Sequence, residues 1–304
     1  MKRLFWIIPL ALLGVVVLYL IELSIPERDY FLERAGTLAG HDTVEANVGV
    51  SIDETLALVS SSGLEVAMRV RRPLEADGKL PVLLVLGGEN TGKDAVDLGG
   101  VPDGVAYAAI DYPYHGDRDL NGFWRTAGAL PDIQRAFLDT PPALSLAISW
   151  LTQQDWVDAN HIEIVGVSLG VPFAAVSGAL DKRLSRVWLL HGGADNLEWI
   201  DHAGREDIKN DTLRRWVARG ALLLVRGSSF ETTRWIPEIA PRPLVIVAAK
   251  DDDFVPRKAV EPFIAAANSK HVELIWTEGL HINPARPNEL QQLLDIVLSR
   301  VGPP

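Results

Sequence analysis

The chain has 304 residues, 48% of them hydrophobic, with 40 acidic against 29 basic side chains and a net charge of -11. Such an apolar share can build a substantial core, and an acidic chain without a basic cluster excludes a nucleic-acid partner, because phosphate binding draws on Lys and Arg. Cysteine is absent, which removes disulfides, thiolate catalysis, cysteine-ligated metals and a lipidated cysteine together.

At the N-terminus, Met1-Lys2-Arg3 precede an uncharged run from Leu4 to Ile21, ended by Glu22. At about 1.5 Å per residue this run is long enough to cross the hydrocarbon core of a bilayer. The apolar core of a signal peptide is usually shorter and is followed closely by a small-x-small cleavage site. Here Glu-Leu-Ser-Ile-Pro-Glu is a poor site, and Thr37-x-Ala39 lies far beyond the run. The expectation is an uncleaved signal anchor over residues 1–21, a transmembrane helix that contacts the membrane through residues 4–21. A cleaved signal peptide and a secreted body form the alternative. Lys2 and Arg3 before the run, against Glu22, Glu27 and Asp29 after it, put the body on the extracytoplasmic side.

Residues 22–50 are mixed and polar and read as a tether and domain edge, and residues 51–304 read as one catalytic domain. From Thr55, the runs TLALVS and LEVAMRV flank Ser61-Ser62-Gly63, which predicts an antiparallel hairpin. Continuously apolar runs follow at 81–87, 105–111, 162–167, 186–191, 243–249 and 272–276, as expected of parallel strands buried on both faces. Between them, Leu144, Ala147, Ile148 and Leu151 share one face of a helix over 142–151 that opens on prolines. A further helix is expected over 289–301. The pattern predicts an α/β fold: a mostly parallel central sheet with opening antiparallel strands and helices on both faces.

The strongest local signal is Gly166-Val167-Ser168-Leu169-Gly170, which follows an apolar strand and precedes a helical run. A nucleophilic serine on a sharp strand-to-helix turn needs this context, with small residues two places before and after it. Pro172 is tolerated if it lies among the first helical positions, whose N–H groups have no partner within the helix. The Leu169 N–H, at the positive end of the helix dipole, would face a developing oxyanion.

A nucleophilic serine needs a histidine base oriented by an acid. On this kind of turn they follow in the order serine, acid, histidine. The apolar run 243–249 leads directly into Asp251-Asp252-Asp253, any of which could supply the acid. His271 and His281 follow. His271 stands before the run 272–276, at the end of the strand away from the site. His281 comes after it, at the carboxyl end, where open α/β sheets carry their ligands.

GVSLG, AAKDDDFVP and EGLHINP, in that order, resemble the three catalytic blocks of the α/β-hydrolase superfamily, in particular its dienelactone-hydrolase-like and prolyl-oligopeptidase-like esterase branch. The resemblance covers roughly residues 55 to 300. Its Asp-x-x-Val-Pro pattern falls on Asp252, which implies a triad of Ser168, Asp252 and His281, with Asp251 and Asp253 as solvated turn residues. DYPYHGDR implies a structural turn at His115. LGGENTG stands where the oxyanion loop lies, with Gly87 in place of the usual histidine, and implies the N–H of Glu89 or of Gly88 as second donor. The resemblance implies hydrolysis of small-molecule carboxylic esters without metal or organic cofactor. A peptidase or thioesterase of the same fold, or a catalytically silent binding protein, remains the alternative.

Overall fold

The computed structural model describes residues 13–301 except 15, 24, 26, 89–90, 102, 117–122, 267–270 and 284. Nine strands form one sheet in the order β1-β2-β3-β5-β4-β6-β7-β8-β9. Strands β1 (Leu38–Val48), β2 (Ser51–Ser60) and β3 (Glu65–Pro73) are antiparallel neighbours, and β3 joins β5 (Ala106–Ile110) antiparallel. From β5 onward, β4 (Leu80–Leu86), β6 (Val157–Val167), β7 (Arg186–Leu190), β8 (Leu244–Ala249) and β9 (Val272–Thr277) are all parallel. The mostly parallel sheet with an opening hairpin is therefore as expected from the apolar runs.

Alternation along the parallel strands builds two cores. Val82, Leu84 and Leu86 of β4 face one side, with helices α2 (Phe123–Leu151) and α3 (Gly170–Leu180). Leu83 faces the other, with a 3-10 segment over Gly92–Gly99 and the last helix, α8 (Pro287–Leu298). Chain order reverses at β4, which has β5 on one side and β6 on the other. Beyond the carboxyl ends of β4 and β6 this leaves a crevice, the usual ligand position in such sheets.

Two elements begin earlier than the sequence suggests. Helix α2 extends upstream of residue 142 through Pro131, Pro141 and Pro142. Each interior proline costs roughly 3 kcal/mol, but Leu144, Ala147, Ile148 and Leu151 are fully buried beyond them, and that packing holds the helix together. The sheet likewise begins at Leu38, upstream of Thr55, and its first strand is exposed along nearly its whole length. Ahead of it, α1 (Arg28–Ala35) buries Phe31 against Phe230 and Trp235, with ring centroids at 5.8 and 6.2 Å.

The expected transmembrane helix is corrected here, and the membrane contact through residues 4–21 with it. Among the described residues, no helix is long and apolar enough to cross a membrane. Residues 4–12 and 15 of the apolar run lie outside the described residues. Its described end, helical over 16–23, closes onto the α/β body. Leu23 is buried, its carbonyl accepts from Ser228 Oγ at 3.3 Å, and Arg226 pairs with Glu27 and, at 3.2 Å, with Glu22.

Between β7 and β8 the chain forms α4 (Asn196–Ala203), α5 (Asp211–Leu224) and α6 (Thr232–Trp235). Trp199 and Trp235 are buried anchors, whereas Trp216 is exposed beneath the Arg219 guanidinium. Helix α7 (Arg257–Ala266) then leads to β9.

Candidate active site

Ser168 sits between β6 and α3 with φ of +53°, a left-handed conformation unusual for a residue with a side chain. Its N–H donates to Leu190 O at 2.9 Å, and its carbonyl accepts from Val171 N–H at 3.0 Å, fixing the turn from both sides. Two glycines make the turn possible. A Cβ on Gly166 would meet Ala174 Cβ at 2.5 Å, and one on Gly170 would meet the backbone oxygen of Leu86 at 2.0 Å. Pro172 falls within the first turn of α3, as its tolerance required.

The structure brings Ser168, His281 and Asp252 together. Ser168 Oγ lies 2.9 Å from His281 Nε2, and His281 Nδ1 lies 2.9 and 3.2 Å from the two carboxylate oxygens of Asp252. Asp252 follows β8 and its side chain is only 4% exposed. One of its oxygens accepts from Phe254 N–H at 2.8 Å and Val255 N–H at 2.6 Å. Burial pushes its pKa up, but the hydrogen bond and charge of His281, together with those two N–H groups, outweigh it and hold the carboxyl below its ordinary range. His281 stands beyond the carboxyl end of β9. His271 is at the opposite end, where its carbonyl accepts from Leu244 N–H.

Of the three neighbouring aspartates, Asp251 and Asp253 are exposed. The exposed Asp253 carboxylate also accepts the His281 backbone N–H at 3.3 Å. Phe254 packs over the imidazole at 5.2 Å between centroids and is braced by Trp199 at 6.4 Å. His115 is exposed in the loop after β5.

The two regions expected to supply oxyanion donors flank the serine. Leu169 is the N-cap of α3, directly after Ser168. Gly87 and Gly88 line the same cavity as Ser168 and His281, while Glu89 lies outside the described residues. That loop is held by Tyr112 Oη donating to Gly87 O at 2.8 Å and by Thr91 Oγ1 donating to Gly88 O at 2.8 Å. Asp111 anchors its far side by accepting from the Lys93 N–H and ammonium, each at 2.9 Å.

His191 is a residue that the motif order passes over. It ends β7 in a left-handed conformation, φ +51°, and is 3% exposed. Its Nδ1 accepts the Ile282 N–H at 3.0 Å, and its ring lies 5.9 Å from that of His281. An acceptor nitrogen must be unprotonated, so the ring proton resides on Nε2. Burial lowers its pKa to about 4, with nearby Asp252 opposing and His281 reinforcing the shift. The available signal was position alone: a histidine directly after a buried strand, at the sheet end that carries the site. His191, Asp252 and His281 offer ligand atoms within 4.8 Å of one another, and both ring nitrogens of His281 are already bonded, to Asp252 and to Ser168.

No family model and no curated protein matches this sequence. Solved structures do match. An acetyl xylan esterase from Paenibacillus sp. R4 aligns with a TM-score of 0.61 at 18% identity, covering 90% of this chain and 92% of that one. A cold-adapted esterase from an Arctic intertidal metagenomic library gives 0.58 at 17%, covering 86% and 100%. A 2,6-dihydroxy-pseudo-oxynicotine hydrolase gives 0.56 at 22%, covering 81% and 68%. At these identities the likeness is one of fold, and the resemblance to α/β-hydrolases read from the three motif blocks holds at that level.

Proposed function

We propose that this protein is a serine esterase that hydrolyses carboxylic esters through an acyl-enzyme. Ser168 Oγ attacks the ester carbonyl as His281 Nε2 takes its proton, and Asp252 keeps the imidazole oriented and stabilises its charged form. The Leu169 N–H and a second N–H from the Gly88–Glu89 loop bind the tetrahedral oxyanion. Collapse of that intermediate breaks the bond to the alkoxy oxygen, which leaves with the proton from His281. Water, deprotonated by His281, then attacks the acyl carbon and frees the acid and Ser168.

The observation that carries this reading is the unbroken path from Ser168 Oγ through His281 to a buried Asp252, with 2.9 Å at each step. Esterases among the structures of similar fold accord with it. The test is hydrolysis of p-nitrophenyl esters by the wild type and by Ser168→Ala, with circular dichroism as the control for folding. Loss of turnover in a folded variant is expected. A folded variant with near-normal turnover would overturn the proposal.

A further inference from the structure

A cavity of about 340 Å³ opens beside Ser168 and His281 and descends along one face of the sheet. Its depth follows from strand register. Leu86 is level with Gly166, Val85 with Val165, and Leu83 with Tyr107. The cavity therefore runs from Gly87 past Val85 to Leu83, two steps of the side-chain alternation, or roughly 13 Å at the rise of a strand. Leu290 and Leu294 of α8 form the opposite wall.

This void has a structural cause. The other face of the sheet is covered by the long α2 and by α3, but this one is covered, among the described residues, beside α8 only by the 3-10 segment Gly92–Gly99. That segment approaches closely at one point, where a Cβ on Gly99 would meet the Tyr107 ring at 2.7 Å. Elsewhere the gap to α8 stays open. Protein interiors rarely leave voids larger than a water molecule, so an aliphatic cavity of this size ending at a serine hydroxyl has the character of a ligand site.

We infer that this cavity is the acyl site, and that the substrate's acyl group is a linear, uncharged chain of about ten carbons. The inference rests on the esterase reading given above. Among the described lining residues there is no Asp, Glu, Lys or Arg, so a sugar acid or other charged acyl group would be stripped of water without a partner. Carbon–carbon bonds of about 1.5 Å advance about 1.3 Å each in a zigzag, so a depth of roughly 13 Å takes about ten carbons. The acyl side is assigned because it stays bound to Ser168 through both steps, while the alcohol must leave and be replaced by water. An apolar cavity leading away from Ser168 suits the portion that stays.

The test is the specificity constant of the wild type across p-nitrophenyl esters from acetate to palmitate, with a parallel series of alkyl acetates from ethyl to decyl. Each buried methylene is worth about fourfold, so the constant should rise by at least about a hundredfold from acetate to decanoate and fall again at palmitate. The alkyl acetate series should be nearly flat. Leu294→Trp, which narrows the cavity, should move the optimum to a shorter acyl chain. Should that variant misfold, competitive inhibition of the wild type by alkylboronic acids gives the same information, with decyl expected to bind far more tightly than ethyl. Acetate as the best substrate, or length dependence confined to the alcohol side, would overturn the inference and leave the esterase reading intact. Absence of turnover with every ester would strike the esterase reading itself.

Discussion

The Nδ1 of His191 accepts the backbone N–H of Ile282 at 3.0 Å, and so ties the end of β7 to the residue following His281. His281 lies on a loop beyond β9, and this bond fixes that loop from beneath. Asp253 holds the His281 N–H on its other side. Replacing His191 with Leu removes the acceptor while keeping an apolar body in the buried space. Misplacement of a base by a fraction of an ångström to an ångström costs up to about a hundredfold in rate, so kcat should fall roughly ten- to a hundredfold with KM little changed. Steady-state kinetics with a p-nitrophenyl ester would check this, and an unchanged kcat would show that His191 has no positioning role.

Asp252→Asn should cost about 10³- to 10⁴-fold in kcat, because the acid that bonds Nδ1 sets the tautomer of the base. Asp251 is exposed and makes no such bond, so Asp251→Asn should leave kcat within about twofold, as surface changes generally do. Asp253→Asn should fall between the two. Parallel kinetics on the three variants decide the order, and a greater loss at Asp251 than at Asp252 would contradict the geometry.

Gly170→Ala places a Cβ 2.0 Å from the Leu86 carbonyl oxygen, a backbone atom that cannot swing away. The variant should lose stability by at least about 1–3 kcal/mol, as overpacked cores do, and activity with it. Gly220→Ala in α5 meets nothing within 4 Å and should instead stabilise by about 0.4–1 kcal/mol. Urea unfolding of both variants provides the comparison.

Glu231 carries a pH effect of opposite sign to that of most carboxylates. Burial, and then the charge of Asp195, raise its pKa from 4.5 to about 7. Between those values the folded state holds a proton that the unfolded chain releases. Its contribution to stability is therefore complete below pH 4.5 and is lost as pH rises through about 7. Glu231→Gln is uncharged throughout and should raise Tm at pH 8 by roughly 2–4 °C, with little change at pH 5. Thermal unfolding at the two pH values tests the sign.

The parallel strands were legible because burial on both faces leaves continuous apolar runs, as at Val82–Leu86 and Leu244–Ala249. Strand β1 was not, because Leu38–Val48 is exposed on both faces and its residues show no alternation to read. The start of α2 was hidden by its prolines, whose local cost is outweighed by packing that only the folded chain displays. The apolar run at the N-terminus carried a length signal but no information about what its end would touch, and its described end closes on Arg226 and Ser228. At the site, local context and chain order led to Ser168, His281 and a run of three aspartates, each after a strand at the carboxyl end of the sheet, and only the resemblance, through its Asp-x-x-Val-Pro pattern, singled out Asp252. His191 satisfies the same placement but precedes the acid in sequence, and its contact with Ile282 depends on two loops meeting in space. The cavity beside Ser168 was likewise unreadable, because it lies between α8 and the short 3-10 segment Gly92–Gly99, which meet only in the folded chain.

A fluorophosphonate bonds covalently to an activated serine and so reports whether Ser168 is the nucleophile. Intact-mass and peptide mass spectrometry after reaction of the full chain should find a single adduct on the peptide bearing Ser168. His281→Ala, which leaves Ser168 in place but removes its base, should slow that labelling by at least about a hundredfold. An unlabelled folded protein, an adduct on another residue, or labelling indifferent to His281 would contradict the account.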